Sequence, residues 1–580
     1  MPQTRSFYVD EHKPWFRPEA GWPADMPKNI DFPEVSIYEM MRESAERYDE
    51  HPALWFMDNF MSYREMLEKV DALAAGLKGM GLKKGDVVAL ALANSFQYVI
   101  CYYAAAKLGL IVTGINPTYK PAEVLMQVKT TGAKALIVLD MVYQLLIEPV
   151  ASDCGLDHVI TTNIADLLKM PDAQKEQAIA AGVIPSGPVP DTAMSFLNLL
   201  ESDPSACGNE SGADDIACYA MTGGTTGRPK AAVISHFNVV SSTSALKTWV
   251  WKEPGGCTVA VLPLFHIFGM VAMHVSILNG GFLILFPKPP ETEELVKTIC
   301  SVGVDNRTFY PGAEVMFQML ANFPHLDEYP IAKKLDRCMS SAGPLHEYVK
   351  KDFEEKLPGV VIREGYGLTE SCSGIAMGPF DRNFEAGSVG LPLPGIEWKI
   401  VDMGEGDKEL AAGEIGELIL TGPVVMQGYL DSPGETAAAL RAGGGKIWLY
   451  TGDLGYMDEY GRVYLNDRKK QLIKVKGYSV FPTEVEDLVG RNEAIYESAV
   501  AGLPDPTTGE AIKIWVVLKE EWKGQISAEE LIDWCKKNIT HYKVPKHLEF
   551  IDALPKTPVG KIMRRSLQEA DPLFHQGQSK

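Results

Sequence analysis

The chain has 580 residues, of which 46% are hydrophobic and 23% are charged, and its formal net charge is -21. A chain of this length can bury more than one hydrophobic core, so we expect two or more domains. The negative charge excludes a broad nucleic-acid surface, because phosphate binding needs clustered lysine and arginine, but it leaves room for a local basic site that holds a phosphorylated ligand.

The nine cysteines lie far apart in the sequence and form neither a C-x-x-C pair nor a Cys/His cluster at metal-ligand spacing. The first residues, MPQTRSFYVDEHKPWFRP, are polar and lack the apolar core of a signal peptide. We therefore expect a reduced, cytoplasmic protein, and peripheral attachment to a membrane stays open as an addition to that location.

Helical and strand-like segments alternate along the first part of the chain. Ser62 and Glu65 form a capping box that begins a helix ending near Gly79, and the apolar run DVVALAL that follows predicts a buried strand. Two further helix and strand pairs lead to the strand AKALIVL at 133–139. This alternation is typical of parallel sheets covered by helices on both faces, so the sequence predicts an α/β fold.

A long stretch without Lys, Arg, Asp or Glu runs from Pro254 to Pro287. It is long enough to span a membrane, but Pro263, His274 and the pair Gly280-Gly281 would interrupt a helix that faces lipid. We expect a core strand, a turn, a buried helix and a second strand, with the membrane span as the alternative.

The segment 217–236 reads ACYAMTGGTTGRPKAAVISH and follows a stretch, 172–212, whose Pro, Ser, Ala and Gly predict a surface excursion. Its glycines let backbone N–H groups turn toward phosphate oxygens, its hydroxyls add donors, and Lys230 adds a point charge. It is not the common P-loop, because Arg228 and Pro229 separate the last glycine from the lysine. The segment predicts a polyphosphate site, and a Gly/Thr hairpin turn is the alternative.

Three later segments accompany YAMTGGTTGRPK in a fixed order: YGLTES at 366–371, YTGDLGYMDEYGRVYLNDRKKQLIKVKGYSVFPTEVE at 450–486, and PKTPVGKIMRRSL at 555–567. Together they resemble the adenylate-forming superfamily, which includes acyl-CoA synthetases, firefly-type luciferases and peptide-synthetase adenylation domains. The resemblance runs over most of the chain, from Val35 to Leu567.

The resemblance implies a large N-terminal domain of helix-covered β-sheets and a small, mobile α/β C-terminal domain. In this sequence we expect an N-terminal extension at 1–34, the large domain at 35–469 and the small domain at 470–580, with the hinge at Lys470. It also implies ATP-dependent conversion of a carboxylic acid to an acyl-adenylate, followed by acyl transfer to coenzyme A.

The resemblance assigns ATP binding to the loop, to two segments beside the adenine and to residues beside the ribose. These residues are Thr222, Gly223, Gly224, Thr225, Thr226, Gly227, Lys230, Gly343, Glu364, Gly365, Tyr366, Gly367, Thr369, Asp453, Arg468 and Lys561. Among them, Tyr366 resembles the aromatic that stacks on adenine, Thr369 the hydroxyl on the α-phosphate, and Asp453 the acid on the ribose hydroxyls. Glu370 resembles the carboxylate that holds Mg²⁺.

The small domain carries two sets of functional residues in the resemblance. Lys561 bridges the acid and the α-phosphate, whereas Lys474, Lys476 and Gly477 belong to the face used for thioester formation. The catalytic candidates are Lys561, Thr369, Glu370, Lys230 and His266. One departure is Ala231, which stands where the family usually has glycine after the loop lysine; we expect activity to survive it.

The segment between Pro254 and Pro287 lacks the acid that amino-acid-activating members use to hold an ammonium group, so we expect a substrate without an amine. Members selective for acetate close the pocket with a tryptophan where this chain has Gly367. A medium or long fatty acid, or an alicyclic or aromatic acid, therefore fits the expected pocket better than acetate does. The candidates for the acyl pocket are His266, Phe268, Gly269, Met270 and Gly367.

Several other functions stay open. One is a membrane-associated fatty-acid binding or uptake protein with vestigial nucleotide motifs; others are a ligase that loads a carrier-protein thiol and a luciferase-like oxygenase. A hydrolase is disfavoured because the chain has no G-x-S-x-G elbow. The expected partners are ATP, coenzyme A and a small carboxylic acid, with no nucleic acid and no integral membrane span, in a monomer or a homodimer.

Overall fold

A computed structural model describes residues 3–222, 229–380, 384, 387–476, 478–557 and 560–576. The chain forms two compact units. The first comprises Met1–Glu397 and Leu420–Leu449, and the second comprises Trp398–Ile419 and Tyr450–Lys580. Helices and sheets are present in both units, which confirms the predicted α/β class. The domain boundary at 469/470 and the mobility of the small domain stay predictions.

An eight-stranded sheet forms one layer of the first unit. In spatial order its strands are Gly428–Tyr429, Lys230–Ser235, Ile216–Thr222, Ile111–Gly114, Val87–Ala91, Ala133–Leu139, His158–Thr162 and Met194–Ser195. From Ile216–Thr222 to Met194–Ser195 the pairing is parallel, and the two strands at the other edge are antiparallel to their neighbours. The predicted succession of buried parallel strands is confirmed.

The helices that accompany this sheet begin and end where local sequence signals place them. They are Ile37–Tyr48, Tyr63–Gly79, Phe96–Leu108 and Pro121–Thr131. The Ser62 side chain accepts from the Glu65 N–H and the Glu65 carboxylate accepts from the Ser62 N–H, so the predicted capping box is confirmed. Gly109 and Gly132 end two helices in the left-handed region, at φ 66 in both cases, where glycine carries no Cβ penalty.

A nine-stranded sheet forms the other large layer of the first unit. In spatial order its strands are Leu391–Pro392, Ser373–Met377, Val361–Leu368, Leu335–Ser340, Thr308–Gly312, Cys257–Ala260, Phe282–Leu285, Pro52–Phe56 and Asn59–Ser62. The helices that alternate with these strands are His236–Val250, Ile267–Leu278, Thr292–Val302, Glu314–Ala321 and Glu347–Lys356. A cluster of buried apolar side chains that includes Ile284, Phe317 and Phe353 fills the space between this sheet and its helices.

The charge-free stretch folds as a strand, Cys257–Ala260, a helix, Ile267–Leu278, and a second strand, Phe282–Leu285. This confirms the predicted strand, helix and strand, all of which are buried in the first unit. Throughout the part of the chain that the structure describes, the helices are too short or too polar to cross a bilayer.

The segment 172–212 holds more structure than its composition predicts. It contains the helices Asp172–Ala180 and Phe196–Leu199 and a turn of 3₁₀ helix at Pro204–Ala206. Its strand Met194–Ser195 pairs with the edge of the eight-stranded sheet, and Phe196 is fully buried. The segment is therefore part of the first unit's core at that edge, and only in part a surface excursion.

Short segments complete the first unit. They are the strands Thr4–Ser6, Asp31–Pro33 and Leu440–Gly443 and the helical turns Pro14–Phe16, Pro18–Ala20, Asp140–Val142, Tyr143–Ile147, Glu148–Val150, Ala151–Cys154, Leu326–Glu328, Ile331–Lys334, Thr369–Ser371 and Pro433–Ala439. The N-terminal residues fold onto the unit because Thr4–Ser6 pairs with Asp31–Pro33 and Trp22 packs edge-on against Trp249.

The strands Val463–Arg468, Ile473–Val475, Tyr478–Val480, Ile495–Asp505, Gly509–Leu518 and His547–Phe550 belong to the second unit, and Glu397–Val401, Gly416–Thr421 and Lys446–Met457 each include residues of both units. The described helices of the second unit are Pro482–Val489, Ala528–Asn538, Arg564–Ala570 and Pro572–Gln576, and its helical turns are Glu520–Trp522 and His541–Lys543. The long hairpin Ile495–Asp505 and Gly509–Leu518 is its centre. Lys513 on that hairpin pairs with the buried Asp571 and with Glu549, which fixes the C-terminal helices to the sheet.

Candidate active site

The hairpin that carries the predicted polyphosphate loop lies at one side of the eight-stranded sheet. Its strands Ile216–Thr222 and Lys230–Ser235 are antiparallel, and Thr222 lies directly opposite Lys230. The predicted loop residues Gly223, Gly224, Thr225, Thr226 and Gly227 lie outside the described residues. The strand pairing therefore brings the hydroxyl of Thr222 and the ammonium of Lys230 to the two ends of the loop, although eight positions separate them in sequence.

Glu370 connects this hairpin with the nine-stranded sheet. It lies in the turn Thr369–Ser371, which follows the strand Val361–Leu368. Its Oε1 accepts a hydrogen bond from the Tyr429 hydroxyl at 2.7 Å and a longer one from Thr222 Oγ1 at 3.4 Å. The two large sheets of the first unit thus converge on one carboxylate, and Thr369 is next to it in the same turn.

Lys230 contacts two residues that the sequence analysis did not identify. Its Nζ forms an ion pair with Glu435 at 2.5 Å and lies 5.1 Å from the centre of the Tyr429 ring, within the range of a cation–π contact. Lys230 is largely buried, with 13% of its side chain exposed. Lys230, Tyr429 and Glu370 consequently form one connected cluster, in which the tyrosine lies between the cation and the carboxylate.

The donor set around Glu370 fits Mg²⁺. This ion prefers hard oxygen ligands and is usually held by one or two carboxylates together with substrate phosphates. Glu370 supplies a carboxylate, and Thr222 supplies a hydroxyl oxygen within hydrogen-bonding distance of it. The role of Glu370 as a metal ligand stays a prediction that this geometry supports.

The residues predicted to lie beside adenine lie at or just after the carboxyl ends of two neighbouring parallel strands, Leu335–Ser340 and Val361–Leu368. Ligands of open α/β sheets bind at such carboxyl ends. Gly343 follows the first strand, and a Cβ added there would meet no atom within 4 Å, so its backbone borders open space. Glu364, Gly365 and Tyr366 lie on the second strand.

Gly365 and Gly367 are glycines for packing reasons that the structure reveals. A Cβ at Gly365 would lie 2.2 Å from the Met339 Cε. A Cβ at Gly367 would lie 1.9 Å from the Ser373 carbonyl oxygen, because the antiparallel strand Ser373–Met377 shifts register there. Close approach of the backbone therefore requires glycine at 367, and its predicted role in leaving space for the acyl group stays a prediction.

Four of the five acyl-pocket candidates, all except Gly367, lie at the start of the helix Ile267–Leu278. His266 caps it, with Nδ1 accepting from the Phe268 N–H at 3.3 Å. A Cβ at Gly269 would lie 2.3 Å from the Pro263 carbonyl oxygen, so this helix packs tightly against the preceding turn. The Met270 sulfur accepts a hydrogen bond from the Tyr102 hydroxyl, which holds it in the buried core.

Phe268 borders a cavity in the first unit. The cavity measures about 10 Å³, and its other lining residues are Leu246, Val250, Ala272, Val275, Phe309, Met339 and Ser373. A space of this size holds about one water molecule, so an acyl chain could enter only if the lining side chains moved. All but one of the lining residues are apolar, and the cavity adjoins Ser373 on the strand that packs against Gly367.

In the second unit, Asp453 and Arg468 lie opposite each other on paired strands. Arg468 Nε contacts Asp453 Oδ1 at 3.0 Å, and the Asp453 N–H donates to Thr451 Oγ1. Strand register therefore brings together Asp453, the predicted ribose acid, and Arg468, which the resemblance also assigns to ATP binding. Asp453 is buried, with 8% of its side chain exposed.

Lys561 lies within electrostatic range of the same pair. Burial, reinforced by the positive charge of Arg468, lowers the pKa of Lys561 to about 8, and the carboxylate of Asp453 opposes that shift. The Lys561 N–H donates to Thr557 Oγ1 at 3.1 Å, and the Lys561 carbonyl accepts from the Thr557 N–H at 2.8 Å. Three of the predicted site residues, Asp453, Arg468 and Lys561, thus share one region of the second unit.

A buried ion pair that the sequence did not predict begins three residues after Lys561. Arg564 Nε donates to Glu486 at 3.0 Å, and its Nη2 donates to the other oxygen of that carboxylate. Arg564 also donates from Nη1 to Gln471 at 3.3 Å, while Glu486 accepts from the Val500 N–H at 2.6 Å. We call Arg564, Glu486 and Gln471 the arginine clamp.

The residues predicted for thioester formation lie on the hairpin Ile473–Val475 and Tyr478–Val480. Lys474 and Lys476 are exposed, and Lys476 adopts the left-handed conformation at φ 51. Gly477 lies outside the described residues. Lys470, the predicted hinge, lies in the turn between the strands Val463–Arg468 and Ile473–Val475. The functional roles of these residues stay predictions.

Comparison with known sequences identifies the family. The AMP-binding enzyme family matches residues 41–430, and the AMP-binding enzyme C-terminal domain matches 484–561. A long-chain-fatty-acid–CoA ligase of Bacillus subtilis is 35% identical over 98% of this chain and 100% of its own length. A protein of the same name from Salmonella typhimurium is 35% identical over 94% of this chain and 97% of its own length.

Solved structures show the same fold. The ATP-bound MatB of Rhodopseudomonas palustris has a TM-score of 0.79 and 26% identity, covering 92% of this chain and 98% of its own. The anthranilate CoA ligase AuaEII in complex with anthranoyl-AMP has a TM-score of 0.79 and 25% identity, covering 94% of this chain and 98% of its own. The predicted resemblance is confirmed, and the chain belongs to the AMP-binding enzyme family of AMP-forming ligases.

Proposed function

We propose that this enzyme joins a carboxylic acid to AMP and then transfers the acyl group to coenzyme A. The observation that carries the proposal is the cluster of Lys230, Tyr429 and Glu370 at the base of the Gly/Thr loop. It sets a cation and a metal-binding carboxylate on either side of one aromatic ring, which suits a nucleoside triphosphate and its metal ion. The names of the curated relatives, long-chain-fatty-acid–CoA ligases, support the same activity.

In the first half-reaction, a carboxylate oxygen bonds to the α-phosphorus of ATP and the bond to the β-phosphate oxygen breaks, which releases pyrophosphate. Because two anions must approach, the site has to supply positive charge where negative charge develops. Lys230 serves the polyphosphate, Lys561 bridges the acid and the α-phosphate, and Thr369 donates a hydrogen bond to the α-phosphate. Mg²⁺ held by Glu370 would neutralise part of the phosphate charge.

In the second half-reaction, the thiolate of coenzyme A bonds to the acyl carbon and the bond between that carbon and the AMP oxygen breaks. AMP leaves with the electron pair, and the thiol proton passes to solvent or to the leaving phosphate. Lys474, Lys476 and Gly477 are the proposed residues for this step. Lys474 and Lys476 are exposed on a hairpin, as contact with a large second substrate requires.

We further propose that the acid is a medium- or long-chain fatty acid. The cavity beside Phe268 is apolar, and an alkyl chain is held chiefly by burial of apolar surface. The names of the curated relatives support this choice. An aromatic acid is the second candidate, supported by the structural likeness to the anthranilate CoA ligase.

A panel of acids tests the proposal. Fatty acids of graded length, benzoate and anthranilate would be supplied with ATP and Mg²⁺, and pyrophosphate release would be measured with and without coenzyme A. We expect multiple turnovers only when a fatty acid and coenzyme A are both present. Multiple turnovers with coenzyme A and an aromatic acid, but not with coenzyme A and any fatty acid, would favour the second candidate. Absence of pyrophosphate release with every acid would contradict adenylation.

Location and thiol partner are tested separately. We propose a cytoplasmic enzyme that uses free coenzyme A, so the protein should leave alkaline-washed membranes with the supernatant. Retention in the washed membranes would favour the fatty-acid uptake alternative. Discharge of the acyl-adenylate by a phosphopantetheinylated carrier protein, but not by coenzyme A, would favour a carrier-protein ligase.

A further inference from the structure

The ion pair between Lys230 and Glu435 concerns the same cation that the proposed function assigns to ATP. Their side-chain atoms Nζ and Oε2 are 2.5 Å apart, and 13% of Lys230 and 41% of Glu435 is exposed. In the conformation described, the ammonium that would serve a polyphosphate is therefore neutralised by a carboxylate of the protein itself. Glu435 is more exposed than its partner and is the more accessible of the two to solvent.

The backbone fixes Glu435 beside Lys230. The strand Gly428–Tyr429 pairs with Ala232 and Val233, which follow Lys230 and Ala231 on the same strand, and the Leu430 N–H donates to the Ala231 carbonyl at 2.9 Å. The short helix Pro433–Ala439 follows directly and carries Glu435 in its first turn. The pairing thus puts the lysine and the glutamate on adjoining segments of a single sheet edge.

Side-chain contacts also hold this helix. The Tyr429 N–H donates to Thr436 Oγ1 at 2.9 Å, and the Thr436 hydroxyl donates to the Ser432 carbonyl at 3.0 Å. A Cβ at Gly428 would lie 2.7 Å from the Thr436 Cγ2, so the helix start packs closely on the strand. These contacts, together with the strand pairing, hold the backbone of Glu435 beside Lys230.

We propose that Glu435 competes with ATP for Lys230. The Glu435 carboxylate is paired with the Lys230 ammonium, and the polyphosphate of ATP has to displace it. The enzyme therefore binds ATP more weakly than it would without this carboxylate. Two effects weaken ATP binding: the ion pair between Lys230 and Glu435 must break, and the negative Glu435 carboxylate then stays near the phosphates. The inference rests on the proposed function, since it requires ATP at Lys230.

The test is the dissociation constant of ATP with Mg²⁺, measured by calorimetry in the absence of any acid, for the parent and for Glu435→Gln. Glutamine keeps the size of the side chain and removes its charge. We expect the variant to bind ATP about two- to fivefold more tightly, which is the strength that a partly exposed ion pair supports. Binding of AMP should be unchanged, because AMP lacks the phosphates that would reach Lys230.

Glu46→Gln is the matched control. It removes one negative charge from the same unit, at an exposed pair with Arg42 within the helix Ile37–Tyr48, and should leave ATP binding at the parental value. Tighter binding of both ATP and AMP by Glu435→Gln would mean a general change of the site and would overturn the proposal. Unchanged or weaker ATP binding would also overturn it, and weaker binding would assign the carboxylate to the bound state. Failure of the parent to bind ATP would instead contradict the proposed function.

Discussion

Lys561 is the residue for which local environment and proposed chemistry agree most closely. In the proposed mechanism, its positive charge is needed only while the carboxylate approaches the α-phosphate. We therefore expect Lys561→Ala to slow adenylation about a hundredfold, the effect of losing one preorganised contact of about 3 kcal/mol. Single-turnover pyrophosphate release measures this step. Thioester formation from supplied acyl-adenylate should proceed at the parental rate, and equal loss of both steps would contradict the assignment.

The lowered pKa of Lys561 predicts the pH dependence of the first half-reaction. The ammonium carries its charge below a pKa of about 8, so the bridging form is lost as pH rises through that value. We expect kcat/KM for pyrophosphate release, which reports ionisations of the free enzyme, to fall on the alkaline side of pH 8. Lys561→Arg should lack this decline, because arginine stays protonated. An unchanged alkaline decline in that variant would assign it to another group.

At the scale of single residues, the sequence identified those that lie within ordered motifs. The Gly/Thr loop itself predicts Thr222 and Lys230, the family resemblance implies Glu370, and the structure brings the three to one cluster. Tyr429 and Glu435 were missed, because a tyrosine and a glutamate outside any motif look like ordinary surface residues. Only the pairing of Gly428–Tyr429 with the strand after Lys230 reveals them, and pairing between distant strands cannot be read from local pattern.

At the scale of elements, the arginine clamp holds together the helices Pro482–Val489 and Arg564–Ala570 and the turn at Gln471. Only 15% of the Arg564 side chain and 10% of the Glu486 side chain is exposed. Arg564→Ala leaves a buried carboxylate without its partner, which costs about 3–5 kcal/mol. We expect faster amide hydrogen exchange throughout the helix Pro482–Val489 in that variant.

Arg565→Ala is the control for the clamp. Arg565 pairs with Glu569, and both side chains are more than half exposed, at 65% and 53%. An exposed pair contributes about 0–1 kcal/mol, so hydrogen exchange in Pro482–Val489 should stay at the parental rate. Adenylation should fall in Arg564→Ala and persist in Arg565→Ala, because Lys561 lies three residues before the clamp arginine. Equal exchange rates in the two variants would show that the clamp does not hold the helix.

The elements themselves were largely predictable, and the exceptions have physical causes. Capping residues and terminal glycines marked the helices Tyr63–Gly79 and Phe96–Leu108, since these signals act within one turn. The strand Met194–Ser195 was not foreseen, because two residues carry no periodicity and its place depends on the sheet edge. The packing constraint at Gly367 was equally hidden, because it comes from the backbone of Ser373 on the next strand.

At the scale of the whole molecule, each unit holds a different part of the proposed chemistry. The polyphosphate cluster of Lys230 and Glu370 belongs to the first unit, whereas Asp453, Arg468 and Lys561 belong to the second. The proposed thioester residues Lys474 and Lys476 also belong to the second unit, on another element. The proposed mechanism uses Lys561 in the first step and Lys474 and Lys476 in the second, so we propose that backbone dihedrals change between the steps at some position in the chain.

Lys470 is the proposed position of that change. It lies in the turn between the strand that carries Arg468 and the strand that carries Lys474, so rotation there would move Lys474 and Lys561 together relative to Arg468. Proline at 470 would restrict φ and remove an N–H. We expect Lys470→Pro to release pyrophosphate in a single turnover and to accumulate bound acyl-adenylate that coenzyme A fails to discharge. Lys470→Ala, which keeps the backbone free, should complete both half-reactions.

Quench-flow separation of pyrophosphate, acyl-adenylate and acyl-CoA measures both steps in the same experiment. Proline can also misfold the turn, and hydrogen exchange in the central hairpin Ile495–Asp505 and Gly509–Leu518 tells the two effects apart. A folded proline variant that forms acyl-CoA at the parental rate would place the pivot elsewhere. A folded variant that loses both half-reactions equally would mean that the two steps share one arrangement of the chain. A restricted φ can block thioester formation and spare adenylation only when the chain changes conformation between these two steps.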